Sequence, residues 1–144
     1  MPCLDLATRF SCVYGISNHV KGVDQGRYFS IYQKDISTLI FTGHGGLIFW
    51  FVFEDMGKKI PYGEKPRYTQ EDTDEICSRV SDLTVTDGVV FADIYANRKT
   101  AVMTPLQEGV VNTWFNGRMV LIGDSGHKVC LTLYLWVIAI SDRG

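Results

Sequence analysis

The sequence predicts an α+β fold: a mostly antiparallel sheet of about four to six strands, at least one covering helix, and a last strand that carries a Gly-Asp turn. Three observations lead there. The first half holds β-forming runs spaced about ten residues apart with short turns between them, the pattern of an antiparallel meander. Thr69-Gln70-Glu71-Asp72 has the build of a helix start. Met119 to Ile122, four β-forming residues, run into Gly123-Asp124-Ser125-Gly126, which reads as a buried strand ending at a tight turn.

In chain order, Phe10 to Ile16 and Arg27 to Gln33 are strand candidates, and the Gly- and Asp-punctuated stretch from Ser17 to Gly26 is a loop. Ser37 to Thr42 is a third strand, Gly43 to Gly46 a turn and Leu47 to Glu54 a fourth strand. Polar Lys58 to Tyr68, with Pro61, Gly63 and Pro66, reads as a loop. The helix opens with Thr69 as N-cap, presents Ile76, Val80 and Leu83 on one face, and ends near Asp82. Val89 to Tyr95 fits strand or helix equally. Arg98 to Thr104 alternates as a strand, and Pro105 to Trp114 reads as a connection.

With 144 residues and 46% hydrophobic composition, the chain is long and apolar enough to bury one small core. Its net charge of −2 and lack of a basic stripe exclude a nucleic-acid surface. Cys3, Cys12, Cys77 and Cys130 have no C-x-x-C spacing and no clustered His, so buried free thiols are expected and a zinc site is not. The start has no signal-peptide build, and an intracellular protein, cytoplasmic or at an internal membrane surface, is the expectation. Val129 to Ile140 is apolar over about a dozen residues, short of the ~20 that a helical span needs. A buried strand or a weakly membrane-associated tail is expected there.

Asp124 is the leading site candidate. A carboxylate at the carboxyl end of a strand meets ligands in open α/β sheets, and flanking Gly lets the backbone come close. The plainer reading is ordinary turn chemistry. Phe49, Trp50, Phe51 and Phe53 pack the two faces of a sheet, with a pocket for a flat or greasy ligand as the alternative. Tyr32, His44, Asp93 and His127 are the residues an acid–base site would draw on.

The run Gly117-Arg118-Met119-Val120-Leu121-Ile122-Gly123-Asp124-Ser125-Gly126-His127 resembles the second flavin-binding motif of FAD-dependent, aromatic-hydroxylase-type monooxygenases. With Tyr14 to Ser17, Ile31 to Lys34, Ile48 to Phe53, Pro66 to Thr69, Asn97-Arg98 and Leu106 to Gly109, the likeness extends to the fungal meroterpenoid and indole-diterpene epoxidase subgroup. It covers Arg9 to Lys128. The resemblance implies a substrate sheet over residues 1–116, the flavin motif over 117–128 and a divergent tail over 129–144. It implies FAD reduced by NAD(P)H, insertion of one oxygen atom into an aromatic or prenylated small molecule, and sites at Tyr32 (catalytic) and at Asp124, Gly123 and Arg118 (cofactor-binding).

The sequence also departs from that family. It contains no Gly-x-Gly-x-x-Gly turn to seat the FAD pyrophosphate, Asp87-Gly88 stands outside the context of the motif that serves both FAD and NAD(P)H, and the likeness stops after Lys128. The expectation is a fragment of such an enzyme, from a truncated product, a retained intron or a misplaced exon boundary. It would hold FAD weakly or not at all and be impaired or inactive alone, with unpaired edges that favour self-association. The competing expectation is a flavin-free module that binds a small molecule on its aromatic sheet.

Overall fold

The computed structural model describes residues 6–64 and 66–128. The expectations for the tail, Cys3 and Cys130 lie outside them. The elements are β1 (Ala7–Ser17), β2 (Tyr28–Gln33), β3 (Ile36–Thr42), β4 (Ile48–Pro61), α1 (Gln70–Arg79), β5 (Thr84–Thr86), β6 (Val89–Val90), α2 (Phe91–Ala96), β7 (Arg98–Val110), β8 (Phe115–Asn116), β9 (Met119–Val120) and β10 (His127–Lys128). Six strands hydrogen-bond in the order β10-β7-β1-β4-β3-β2, while β5-β6 and β8-β9 are separate hairpins. The α+β, sheet-rich expectation holds. No helix among the described residues is long and apolar enough to cross a membrane.

The chain divides into two units. One comprises Cys12–Glu54 and Arg67–Thr104. In it β2, β3 and β4 form the predicted antiparallel meander, with Tyr28 opposite Phe41, Gln33 opposite Ile36, Ile36 opposite Glu54 and Thr42 opposite Ile48. Asp35, with φ 62°, closes the two-residue turn between β2 and β3. The meander does not extend to β1. That strand lies between β4 and β7, a non-local pairing that local periodicity cannot reveal.

Helix α1 begins as its sequence dictates. Thr69 Oγ1 accepts from the Asp72 N–H, and Asp72 Oδ2 accepts from the Thr69 N–H at 2.7 Å. It ends at Arg79, earlier than the expected Asp82. Beyond that point the chain tightens into i to i+3 turns, Ser81 N to Ser78 O and Leu83 N to Val80 O. The ambiguous Val89–Tyr95 stretch is both things: two strand residues, then α2, whose start is capped by Asp93 Oδ2 accepting from the Val90 N–H at 3.0 Å.

Both helices contribute to one core. Ile36, Ile40, Ile48, Trp50 and Val52 from the sheet meet Ile76, Cys77 and Val80 of the α1 region and Phe91 and Ile94 of α2. Trp50 is the largest fully buried side chain among the described residues. Its ring meets Phe91 at 5.3 Å and Tyr95 at 5.6 Å, both edge-on, and its Nε1 donates to Ser17 Oγ at 2.9 Å. A Cβ on Gly15 would sit 2.1 Å from Trp50 Cζ2, so only glycine fits there. Tyr95 donates its hydroxyl to Asp74 and stacks under the Arg98 guanidinium, 4.0 Å from the ring centre, tying α2 to α1. Burial, aided by the bond to Asp74, raises the Tyr95 hydroxyl above its usual range. Burial likewise pushes the Cys77 thiol up to about 12. Cys12 and Cys77 are buried and form no disulfide among the described residues.

The other unit comprises Met1–Ser11, Asp55–Pro66 and Pro105–Gly144. Two expectations fail in it. The stretch after Glu54 continues as strand to Pro61, because exposed polar residues such as Lys58 and Lys59 suit a solvent-facing strand as well as a loop. The stretch from Pro105 continues as strand to Val110. Among the described residues β10 pairs with β7 only at Gly109 and Val110.

Candidate functional site

The first candidate region is the sheet face turned away from α1 and α2. Along β2, Phe29 and Ile31 pack on the helix-covered core, so alternation turns Tyr28, Ser30 and Tyr32 to the opposite face. Register extends this face across the strands: Tyr32 lies beside Ser37 and Phe53, Ser30 beside Leu39 and Phe51, Tyr28 beside Phe41 and Phe49. Tyr14 joins it, since its neighbours Val13 and Gly15 turn to the Trp50 side. Val102 does so too, between core-facing Ala101 and Met103.

The face is aromatic and open in part: Ser37, Leu39 and Phe53 on it are buried, while its other members reach solvent. Tyr28 is 72% exposed and Tyr32 36%, with Tyr14, Phe41, Phe49 and Val102 also exposed. Phe41 meets Phe51 edge-on at 6.3 Å, and Phe51 stacks on Phe53 at 6.1 Å. The Phe49-to-Phe53 run therefore splits by parity. Trp50 and Val52 pack under the helices, as the packing reading expected, while Phe49, Phe51 and Phe53 build the aromatic face. Such a surface suits a flat or branched apolar ligand, with the Tyr hydroxyls as its polar handles. Tyr14 and Phe41 were not singled out as site residues in the sequence; the alternation that gave the strands also contained their facing.

The second region is the Gly-Asp turn of the other unit. Gly117 and Arg118 are the two turn residues of the β8–β9 hairpin, and Gly117 sits at φ 60° at the first turn position, where a left-handed conformation calls for glycine. Gly123, at φ 59°, opens a 3-10 turn through Ser125. The Ser125 hydroxyl donates to Ile122 O and accepts from Ile122 N, which fixes the turn. Asp124 is exposed and has no partner among the described residues, and no ion pair joins it to Arg118, also exposed. A free carboxylate beside an uncrowded glycine can accept hydrogen bonds from a hydroxylated chain, so the residues fit the ribityl portion of a flavin.

The predicted setting of Asp124 needs correction. It lies in a tight 3-10 turn after β9, as the strand-then-turn reading expected, but β10 follows, so β9 is not the last strand, and β9 is exposed rather than buried: Met119, Val120 and Ile122 (77% exposed) all stand out to solvent. β-forming composition signals an apolar strand, but burial requires a facing layer, which a two-residue hairpin does not bring with it. Gly126 is the buried member of the turn, packed on Trp114, whose ring also meets His127 at 5.7 Å.

The remaining acid–base candidates are dispersed. Asp93 caps α2, and His44 is exposed in the turn before β4. His127 packs on Trp114 in the unit that does not contain Tyr32. Asp87-Gly88 is the turn of the β5–β6 hairpin, with Gly88 at φ 74°.

A charged group on β1, β4 and β7 was not foreseen. Arg9 forks onto Asp55 through Nε at 3.1 Å and Nη2 at 2.6 Å, holding the Asp55 carboxyl below its usual range. Glu108 is instead raised by burial, against the pull of Arg9 and Lys59, and its buried Oε1 has no partner among the described residues. A carboxyl raised by folding binds its proton more tightly in the native state, so its contribution is intact below its unfolded value near 4.5 and is lost as pH rises through its folded value. Glu108→Gln is therefore expected to raise the melting temperature at pH 7 and to lose that advantage below about pH 4, followed by thermal denaturation across pH. An unchanged or lower melting temperature at pH 7 contradicts this assignment.

No family model matches the chain. Individual fungal proteins do. It is 36% identical over 126 residues to FAD-dependent monooxygenase trt8 of Aspergillus terreus, covering 88% of this chain and 32% of that protein. It is 35% identical to FAD-dependent monooxygenase penE of Penicillium thymicola, covering 86% and 26%. It is 40% identical to FAD-dependent monooxygenase cdmI of Talaromyces verruculosus, covering 83% and 25%. The chain is thus a relative of the fungal FAD-dependent monooxygenases, spanning about a quarter to a third of their length.

Proposed function

We propose that this chain supplies the substrate sheet and one flavin-contacting turn of an FAD-dependent monooxygenase. The reaction is insertion of one oxygen atom, as hydroxylation or epoxidation, into an aromatic or prenylated secondary metabolite. The observation that carries this reading is the aromatic sheet face around Tyr32, in a chain related to proteins named FAD-dependent monooxygenases. Bound FAD, reduced by NAD(P)H, would supply the oxygen activation that no side chain here can perform.

In this reading residues 1–116 bind substrate and 117–128 meet the flavin. Phe41, Phe49 and Phe51 hold the apolar body of the substrate by burial of its surface. Tyr32 presents its hydroxyl from the same face and orients the substrate through a hydrogen bond or holds a proton at the reacting end. Asp124 accepts from ribityl hydroxyls, Gly123 leaves room for that approach, and Arg118 offers a cation to the cofactor's anionic portion. Binding energy for FAD comes mainly from outside these residues. Alone, the chain holds the cofactor weakly and is catalytically impaired.

The sheet's part is tested on the chain itself with a farnesylated phenol as probe, followed by NMR of the aromatic side chains. Shift changes are expected at Tyr14, Tyr32, Phe41 and Phe49 and not at Trp50, Phe91 or Tyr95 on the helix-covered face. Changes confined to the Trp50 side, or none at probe saturation of the buffer, contradict the assignment.

A further inference from the structure

The outer edge of β2 has chemistry of its own. Among the described residues β2 pairs with β3 on one side and ends the six-stranded sheet on the other. Its register with β3 is unbroken over all six residues, Tyr28 to Gln33. Arg27 O accepts from Thr42 N at 2.9 Å, which fixes the phase: Arg27, Phe29, Ile31 and Gln33 turn their backbone groups to β3, and Tyr28, Ser30 and Tyr32 turn theirs outward. The edge has none of the usual protections. Tyr-Phe-Ser-Ile-Tyr-Gln contains no proline and no charge, and no bulge interrupts it. Among the described residues the opposite edge strand, β10, spans His127–Lys128.

We propose that β2 is a strand-pairing interface and that its occupant is β2 of a second copy of this chain, antiparallel, with Ser30 on the two-fold axis. Self-pairing is argued from the strand's own pattern. With Ser30 opposite Ser30, Tyr28 of each copy lies opposite Tyr32 of the other, and every outward N–H and C=O of the strand gains a partner. A centre at Ile31 would instead place Tyr28 opposite Lys34, which lies in the β2–β3 turn and is not extended. The Ser30 centre also keeps parity: Phe29 and Ile31 stay on the helix-covered side of both copies, and the two aromatic faces become continuous. Cross-strand aromatic pairs stabilise such a ladder, and a two-fold interface of this kind closes at the dimer.

The test is sedimentation velocity on the full 144-residue chain at tens of micromolar, with charge exchange at the axis. Ser30 is exposed, so a charged side chain there is compatible with the fold. The wild-type chain is expected at twice its formula mass. Ser30→Lys and Ser30→Asp should each weaken the dimer by about tenfold or more through like charges placed directly opposite, with unchanged circular dichroism. Their equimolar mixture should return to the dimer. A monomeric wild type, a dimer insensitive to Ser30→Lys, or a mixture that fails to recover overturns the proposal, the last because it removes Ser30 from the axis.

Discussion

Trp50→Ala is expected to destabilise the helix-covered unit by about 3–5 kcal/mol, the range for truncating a large buried aromatic. Trp50 is 0% exposed, and its ring is the surface on which α2 packs through Phe91 and Tyr95. The indole N–H also has a specific partner in Ser17, and Gly15 leaves it room. The same site yields two graded variants. Ser17→Ala leaves a buried donor unpaired, at a cost of about 1–3 kcal/mol. Gly15→Ala drives a methyl group into the ring and costs about 1–3 kcal/mol or more. Urea titrations by circular dichroism give all three. A Trp50→Ala loss under about 1 kcal/mol would contradict the central place given to this side chain.

Asp124→Ala is expected to lower FAD affinity by about 10- to 100-fold. This is measured where the cofactor can be held, in a chimera whose matching stretch of a full-length fungal relative is replaced by this chain. A hydrogen bond to a charged group contributes about 1.5–3 kcal/mol, against the roughly 12 kcal/mol that nanomolar binding requires. Flavin should therefore be weakened, not abolished. The exposure of Asp124 and the absence of a competing partner among the described residues underlie the prediction, because the carboxylate need not break an existing bond to accept a new one. Asp124→Asn keeps an acceptor but removes the charge, and should fall between the two. Equal affinity of Asp124→Ala and its parent, by fluorescence of released flavin, would remove Asp124 from the cofactor site.

Local rules carried much of the fold. Thr69 and Asp72 announced α1, and turn residues separated β2, β3 and β4 because their pairing is between neighbours in sequence. The place of β1 beside β7 was hidden, since it depends on contacts far apart in the chain. Strand propensity found Met119 to Ile122 but not its exposure, which is a property of what faces it. At the candidate site, parity in the Phe49-to-Phe53 run encoded two faces, yet only α1 and α2 decide which one is covered. The likeness of Tyr14-Gly15-Ile16-Ser17 to flavin enzymes gains a packing cause: Gly15 and Ser17 accommodate Trp50. Glu108 escaped notice because its environment comes from Arg9, Asp55 and Lys59, distant in sequence and adjacent in the sheet.

Oxygen transfer is the most direct test of the account. The chimera would be supplied with NADPH, isotopically heavy dioxygen and the relative's own substrate, and the product examined by mass spectrometry. The account predicts incorporation of a single heavy oxygen atom per product molecule, strongly reduced by Tyr32→Phe while flavin content stays constant. A chimera that retains its flavin and consumes NADPH but oxygenates nothing would contradict the assignment of the β2–β3–β4 face as a substrate sheet.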